Sequence, residues 1–274
     1  MVRKLIKYDF QSYFRLLFPV QLIIIGFALI NRLVQFFEPA SDAAEAASTV
    51  YNSVFVSTLV LYILSIFVCL VMTVIVGIIR FYQGMYTNEG YLNHTLPVTP
   101  TQHIFAKLLT SIIFCLGADL AIFLSFMVIT AGEVNIEVFK AFTFLVGQYF
   151  ANTGLNGALY VLEFILLAIV SVVFLFLKLY FCISVGQLVK RKKILLAFGV
   201  FFGIYVTKQL ICTVFAIFVA LNLDFMNQIG DWINSSPNVA FHIFFCVAII
   251  FYGLFALIYF LITKHIMSKK LNLT

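Results

Sequence analysis

Five charged residues stand inside stretches that are otherwise apolar: Arg32, Asp119, Glu163, Lys178 and Lys208. A charge held in a bilayer costs a few kcal/mol on insertion scales unless it is paired or hydrated. Each therefore marks a structural ion pair or a polar route through a membrane. Rise per residue suggests partners. Measured from the ends flanked by basic residues, Asp119, Lys208 and Arg32 lie ~17, ~21 and ~21 Å into their segments. Glu163 lies ~12 Å from the opposite end of a long segment on the same rise. Asp119 with Lys208, and Arg32 with Glu163, are the expected pairs; lining or gating a route is the alternative. Lys178 is close enough to its basic end to snorkel.

Residue patterns that perform catalysis are missing from the sequence. There is no GxxxxGK[ST] phosphate loop, no HExxH and no GxSxG. His94, His103, His242 and His265 are scattered, with no two at helical ligand spacing. The paired acids and histidines of glutamate-type membrane proteases are also lacking. Cys69, Cys115, Cys182, Cys212 and Cys246 all fall in apolar runs and form no CxxC pair, so they read as small packing residues. The expectation is a chain with no catalytic residue, no metal site and no cofactor of its own.

Composition dictates which elements position these charges. The 274 residues are 64% hydrophobic and 10% charged, whereas soluble domains carry roughly 25% charged residues. That places the chain in the all-α, polytopic membrane class. The excess of 17 Lys+Arg over 11 Asp+Glu is then a matter of loop charge, with no nucleic acid implied. Apolar segments near residues 18–37, 54–79, 108–131, 155–185, 194–221 and 239–263 are each long enough for a ~30 Å hydrocarbon core. Ahead of them, Ile6, Phe10, Phe14 and Leu17 recur at helical spacing opposite Lys4, Lys7, Gln11 and Arg15. Residues 3–17 are expected to form an amphipathic interfacial helix, with a frayed extension of the first span as the alternative. The charged, aromatic amino terminus has no cleavage-site pattern, and no removable signal is expected. No repeat or linker divides the chain, so a single domain is expected.

Loop charges orient the spans. Arg3, Lys4, Lys7, Arg15, Arg80, Lys107, residues 190–193, Lys264, Lys269 and Lys270 supply most of the basic residues. They lie at the two termini and in the second and fourth loops. The other three loops hold Glu38, Asp42, Glu45, Glu133, Glu137, Asp224 and Asp231, with Lys140 as their only base. Positive residues stay inside, so both termini and the second loop are expected in the cytoplasm. Residues 38–53 read as a loop with a helical turn, and residues 132–154 as a segment resting on the outer surface. Residues 222–238, with Phe225, Met226, Ile229, Trp232 and Ile233 at roughly helical spacing, read as at most one short helix, with Trp232 at the interface.

The second loop, residues 80–107, reads RFYQGMYTNEGYLNHTLPVTPTQHIFAK. Residues 85–96 suit a short helix, Pro97 and Pro100 stop it, and Thr99 and Thr101 stand where hydroxyls cap the next helix. The order Glu89-Gly90-Tyr91-Leu92, then Thr95-Leu96-Pro97-Val98 with Pro100, and Lys107 on entry to the next span, resembles the coupling loop of ABC exporter permeases. More narrowly, it is similar to that of the type-2 permeases of low-GC Gram-positive bacteria. The motif covers about a tenth of the chain.

That resemblance implies six spans in a bacterial cell membrane, a separate ABC ATPase that binds ATP and Mg, and a second permease chain, identical or paralogous. It implies that Met85, Tyr86, Glu89, Gly90, Tyr91, Leu92, Leu96 and Pro97 form or flank the helix that seats in the ATPase, with Glu89 as its acidic contact. It further implies an amphipathic or hydrophobic substrate such as an antimicrobial peptide, drug or lipid. Two other classes stay open: an ion-coupled carrier using the intramembrane charges, and a non-transporting anchor or immunity protein.

Overall fold

A computed structural model describes residues 2–38, 45–87, 89–90, 98–131, 133–189 and 191–269. Over these residues the regular structure is all helical: α1 (Val2–Phe36), α2 (Glu45–Tyr86), α3 (Pro100–Ile129), α4 (Glu133–Gly186), α5 (Lys193–Leu221), α6 (Leu223–Ser235) and α7 (Pro237–Lys269), with Glu89 and Gly90 also helical between α2 and α3. Six of them contain stretches long and apolar enough to cross a membrane, which makes this a multi-pass membrane protein. Large apolar side chains cover their outer surfaces, as expected where the solvent is lipid.

The helices group into two compact units. The first comprises Met1–Phe81 with Gln102–Gln148, the second Tyr82–Thr101 with Tyr149–Thr274. In the first, Ile24 and Ala28 of α1, Tyr62 and Cys69 of α2 and Ala118 of α3 form a buried core. Tyr13, Leu17, Val76 and Phe114 form another. Lipid tails are as apolar as leucine, so helices in a membrane associate through close packing and hydrogen bonds. Both devices are present. Small Ala28, Cys69 and Ala118 admit close approach, while the Tyr13 and Ser111 hydroxyls bond at 3.0 Å and those of Tyr62 and Ser125 at 2.9 Å. Asn31 donates to the Thr58 carbonyl at 3.1 Å and receives the Thr58 hydroxyl at 3.1 Å.

The second unit relies on aromatic packing. Phe174 of α4 lies 5.1 Å from Tyr252 and 5.8 Å from Tyr259 of α7, and Phe181 stacks on Tyr259 at 5.1 Å. At the α4–α5 turn a side chain on Gly186 would fall 2.8 Å from the Ala197 Cβ, so this hairpin closes only around glycine. No residue of α5 is buried within this chain. The short helix expected in residues 222–238 is present as α6, which packs against α5 and α7 and holds Trp232 exposed.

Helix boundaries differ from expectation in four places. Helix α1 runs unbroken across Pro19, so residues 3–17 are its first turns rather than a separate helix. Proline removes one hydrogen bond there, but Tyr13, Leu17 and Ile24 are fully buried on either side and hold the helix together. Helix α2 begins at Glu45, taking in residues expected as loop. It also runs on to Tyr86, because Phe81 and Met85, one turn apart, both find buried sites. Met85 and Tyr86 therefore end α2 instead of opening a new helix. Finally, the segment 133–153, expected to rest on the membrane surface, is helical and continuous with the fourth span through Gly154, whose φ of 54° and ψ of −129° break the helical path. A positive φ with that ψ is open to glycine and strained for other residues.

Candidate functional site

Two groups of residues have the chemistry to act: the end of α2 with the turn after it, and the charges within the spans. The first group belongs to the second unit. Met85 is fully buried, and the Tyr86 hydroxyl donates to the Ser184 hydroxyl of α4 at 2.7 Å. Ser184 donates in turn to the Tyr180 carbonyl at 2.8 Å. Beyond Tyr86 the backbone turns sharply, with the Gly90 amide bonded to the Thr87 carbonyl at 2.8 Å. A Cβ on Gly90 would lie 2.6 Å from both the carbonyl carbon and oxygen of Met85. Backbone atoms cannot retreat as a flexible side chain can, so glycine is required for this return. The turn buries Gly90 and leaves Glu89 exposed. An exposed acid thus stands next to a buried glycine, shortly after the Tyr86 hydroxyl bond to α4.

Tyr91, Leu92, Leu96 and Pro97 lie outside the described residues. Helix α3 begins at Pro100, the first-turn position where a missing amide hydrogen costs nothing. The Thr99 hydroxyl, just before it, lies 2.8 Å from that of Thr101.

Lys107 is buried in α3 and donates to the Asp9 carboxylate of α1 at 2.9 Å, with side-chain exposures of 6% and 17%. That ion pair lies within the first unit. Nothing in the spacing of Asp9 and Lys107 announces it, but Asp9 is the single acid among the bases of the first helix, which is a signal in retrospect.

The charges within the spans are distributed between the units, so each is described in its own. In the first, Arg32 donates to the Gln35 side chain at 2.8 Å and lies 5.0 Å from the centre of the Phe36 ring. Asp119 is exposed on α3. In the second, Glu163 of α4 meets His242 of α7: imidazole Nδ1 and carboxylate Oε1 are 2.9 Å apart. His242 stacks on Tyr160 at 4.5 Å, and the Tyr160 hydroxyl donates to the Asn238 side-chain oxygen at 3.0 Å. Glu163 Oε2 and His242 Nε2 are buried without a partner among the described residues. Within its unit Glu163 is thus engaged by a histidine that sequence spacing had set aside. Lys178 of α4 sits over two rings, 5.7 Å from the Phe174 centre and 4.9 Å from that of Phe201 on α5. Lys208 is exposed on α5.

No family model, curated protein or solved structure matches this chain. The fold and these sites define an all-helical, multi-pass membrane protein with six candidate spans.

Proposed function

We propose that the chain is the permease subunit of an ATP-driven ABC exporter. It would form the translocation pathway while a separate ABC ATPase binds ATP and Mg. The observation that carries this reading is the close approach of Gly90 to the Met85 backbone. The sequence that resembles a coupling loop begins where Gly90 folds back on the Met85 backbone and exposes Glu89. Tyr86 ties that turn to α4 through Ser184. A push on Glu89 would therefore be delivered to a membrane span rather than absorbed by a slack loop.

In this reading the segment that resembles a coupling loop, with Glu89, Gly90, Tyr91, Leu92, Leu96 and Pro97, contacts the ATPase, and Met85 and Tyr86 anchor it. Both termini and this loop face the cytoplasm of a bacterial cell, in keeping with the basic residues gathered there. The amphipathic first turns of α1 rest near the inner surface. A second permease chain completes the pathway, and the cargo is amphipathic or hydrophobic. Co-purification with an ABC ATPase tests the assignment directly.

A second reading draws on a different observation. Glu163 and His242 form a titratable pair inside the spans, which a proton-coupled carrier would require. Uptake or efflux driven by a pH gradient without any ATPase, and abolished by Glu163→Gln, would favour that class.

A further inference from the structure

The α4–α5 hairpin carries two ammonium groups where a bilayer would surround them, and among the described residues of its unit no carboxylate is in contact with them. The acids of the second unit are Glu89, Glu163, Asp224 and Asp231. Glu163 is held by His242, Glu89 lies in the turn after α2, and Asp224 and Asp231 lie in α6. Lys178 is enclosed by the rings of Phe174 and Phe201 instead of by an acid. Phe201 and Lys208 lie two turns apart on the same face of α5. Counted from the tight turn at Gly186, Lys178 stands ~12 Å and Lys208 ~22 Å along the hairpin. Lys208 is too deep to snorkel to either surface, and α5 buries none of its residues within the chain. Ammonium groups on one hairpin in an apolar medium are poorly solvated, and an anionic group that reaches both would offset that cost.

We propose that Lys178 and Lys208, flanked by Phe174 and Phe201, form an intramembrane site for the acidic headgroup of an anionic amphiphile entering from the bilayer. The ammonium groups neutralise a phosphate-type headgroup, the two rings line its shaft, and the open surface of α5 leaves the acyl tails in lipid. The basic run at residues 191–193 lies at the foot of the same hairpin, so cationic groups recur from the turn to the middle of the span. Binding stands without any ATPase; only the step that makes this amphiphile the exported cargo rests on the exporter assignment.

The test is native mass spectrometry of the full chain released from micelles holding equal amounts of phosphatidylglycerol and phosphatidylcholine. Wild type is expected to retain phosphatidylglycerol about tenfold over phosphatidylcholine. Lys178→Met with Lys208→Met, which keeps side-chain length and removes only charge, is expected to abolish that preference. Lys178→Arg with Lys208→Arg is expected to keep it. Preference that survives the double methionine variant overturns the site. So does preference lost only when residues 190–193 are changed to glutamine, since selectivity would then reside at the membrane surface. Displacement of the lipid by equimolar inorganic phosphate would overturn the assignment to an amphiphile. Because methionine is at home in a bilayer, the double variant is expected to fold. A normal gel-filtration profile alongside unchanged lipid selectivity would count fully against the proposal.

Discussion

The Tyr86 hydroxyl donates a 2.7 Å hydrogen bond to Ser184, joining two residues 98 positions apart in sequence. This bond fixes the end of α2 to α4 immediately before the Glu89 turn. Removing it with Tyr86→Phe keeps the ring in place and is expected to cost about 1 kcal/mol of stability. If the bond transmits motion, the variant binds the ATPase normally but transports more slowly. Ser184→Ala is expected to have the same effect, and the double variant to be no worse than either single one. Thermal unfolding in detergent and cargo efflux from proteoliposomes read the two quantities separately.

Gly90 gives the sharpest steric prediction. A methyl group there would meet the Met85 backbone at 2.6 Å, and overpacking of this kind typically costs about 1–3 kcal/mol. Gly90→Ala is expected to displace the turn and expose its backbone. Limited proteolysis is expected to cut the variant in the second loop faster than wild type, and ATPase retention to fall without any change in charge.

Breaking either ion pair one partner at a time leaves the other charge partly buried. Asp9→Asn strands the Lys107 ammonium, which is only 6% exposed. It is expected to destabilise the chain by about 2–4 kcal/mol, near the lower range for buried pairs because Asp9 retains some solvent access. Exchanging the two as Asp9→Lys with Lys107→Asp is expected to recover much of that loss. The melting temperatures of the two singles and the exchange measure it.

Glu163→Gln removes the carboxylate charge beside His242 while leaving an acceptor oxygen. A loss of about 1–3 kcal/mol is expected, the value of a hydrogen bond that includes a charged group. Glu163→Leu combined with His242→Leu is expected to be more stable than either single leucine variant, because apolar replacement of both partners removes the unmet polar atoms. The same four proteins, tested for efflux, separate a structural pair from a proton-coupling one.

Hydropathy alone makes the spans legible, because a bilayer demands some twenty apolar residues in a row. The helix ends were not legible. Pro19 looks like a boundary, yet buried Leu17 and Ile24 carry α1 across it. Arg80 looks like the start of a loop, yet Phe81 and Met85 find buried sites and α2 continues past it. Partners were the hardest to read. Residue depth fixes one coordinate and leaves the facing direction open, so the contact of Glu163 with His242 went unseen. Lys107 resembled a loop residue because its partner Asp9 sits almost a hundred positions earlier, among bases. Gly90 was legible as part of a motif, while its physical need, the return onto the Met85 backbone, required coordinates.

The most direct measurement is co-purification of the full chain with an ABC ATPase from the same genome. Both proteins would be expressed together and extracted in mild detergent, with the tag on the permease only. If the chain is an exporter permease, the ATPase co-elutes in equal amount. Glu89→Arg, which reverses an exposed charge without touching the fold, then separates the two, while Lys140→Glu leaves them together. Failure of wild type to retain the ATPase, or undiminished retention by Glu89→Arg and Gly90→Ala alike, would contradict the assignment of the second loop as the coupling element.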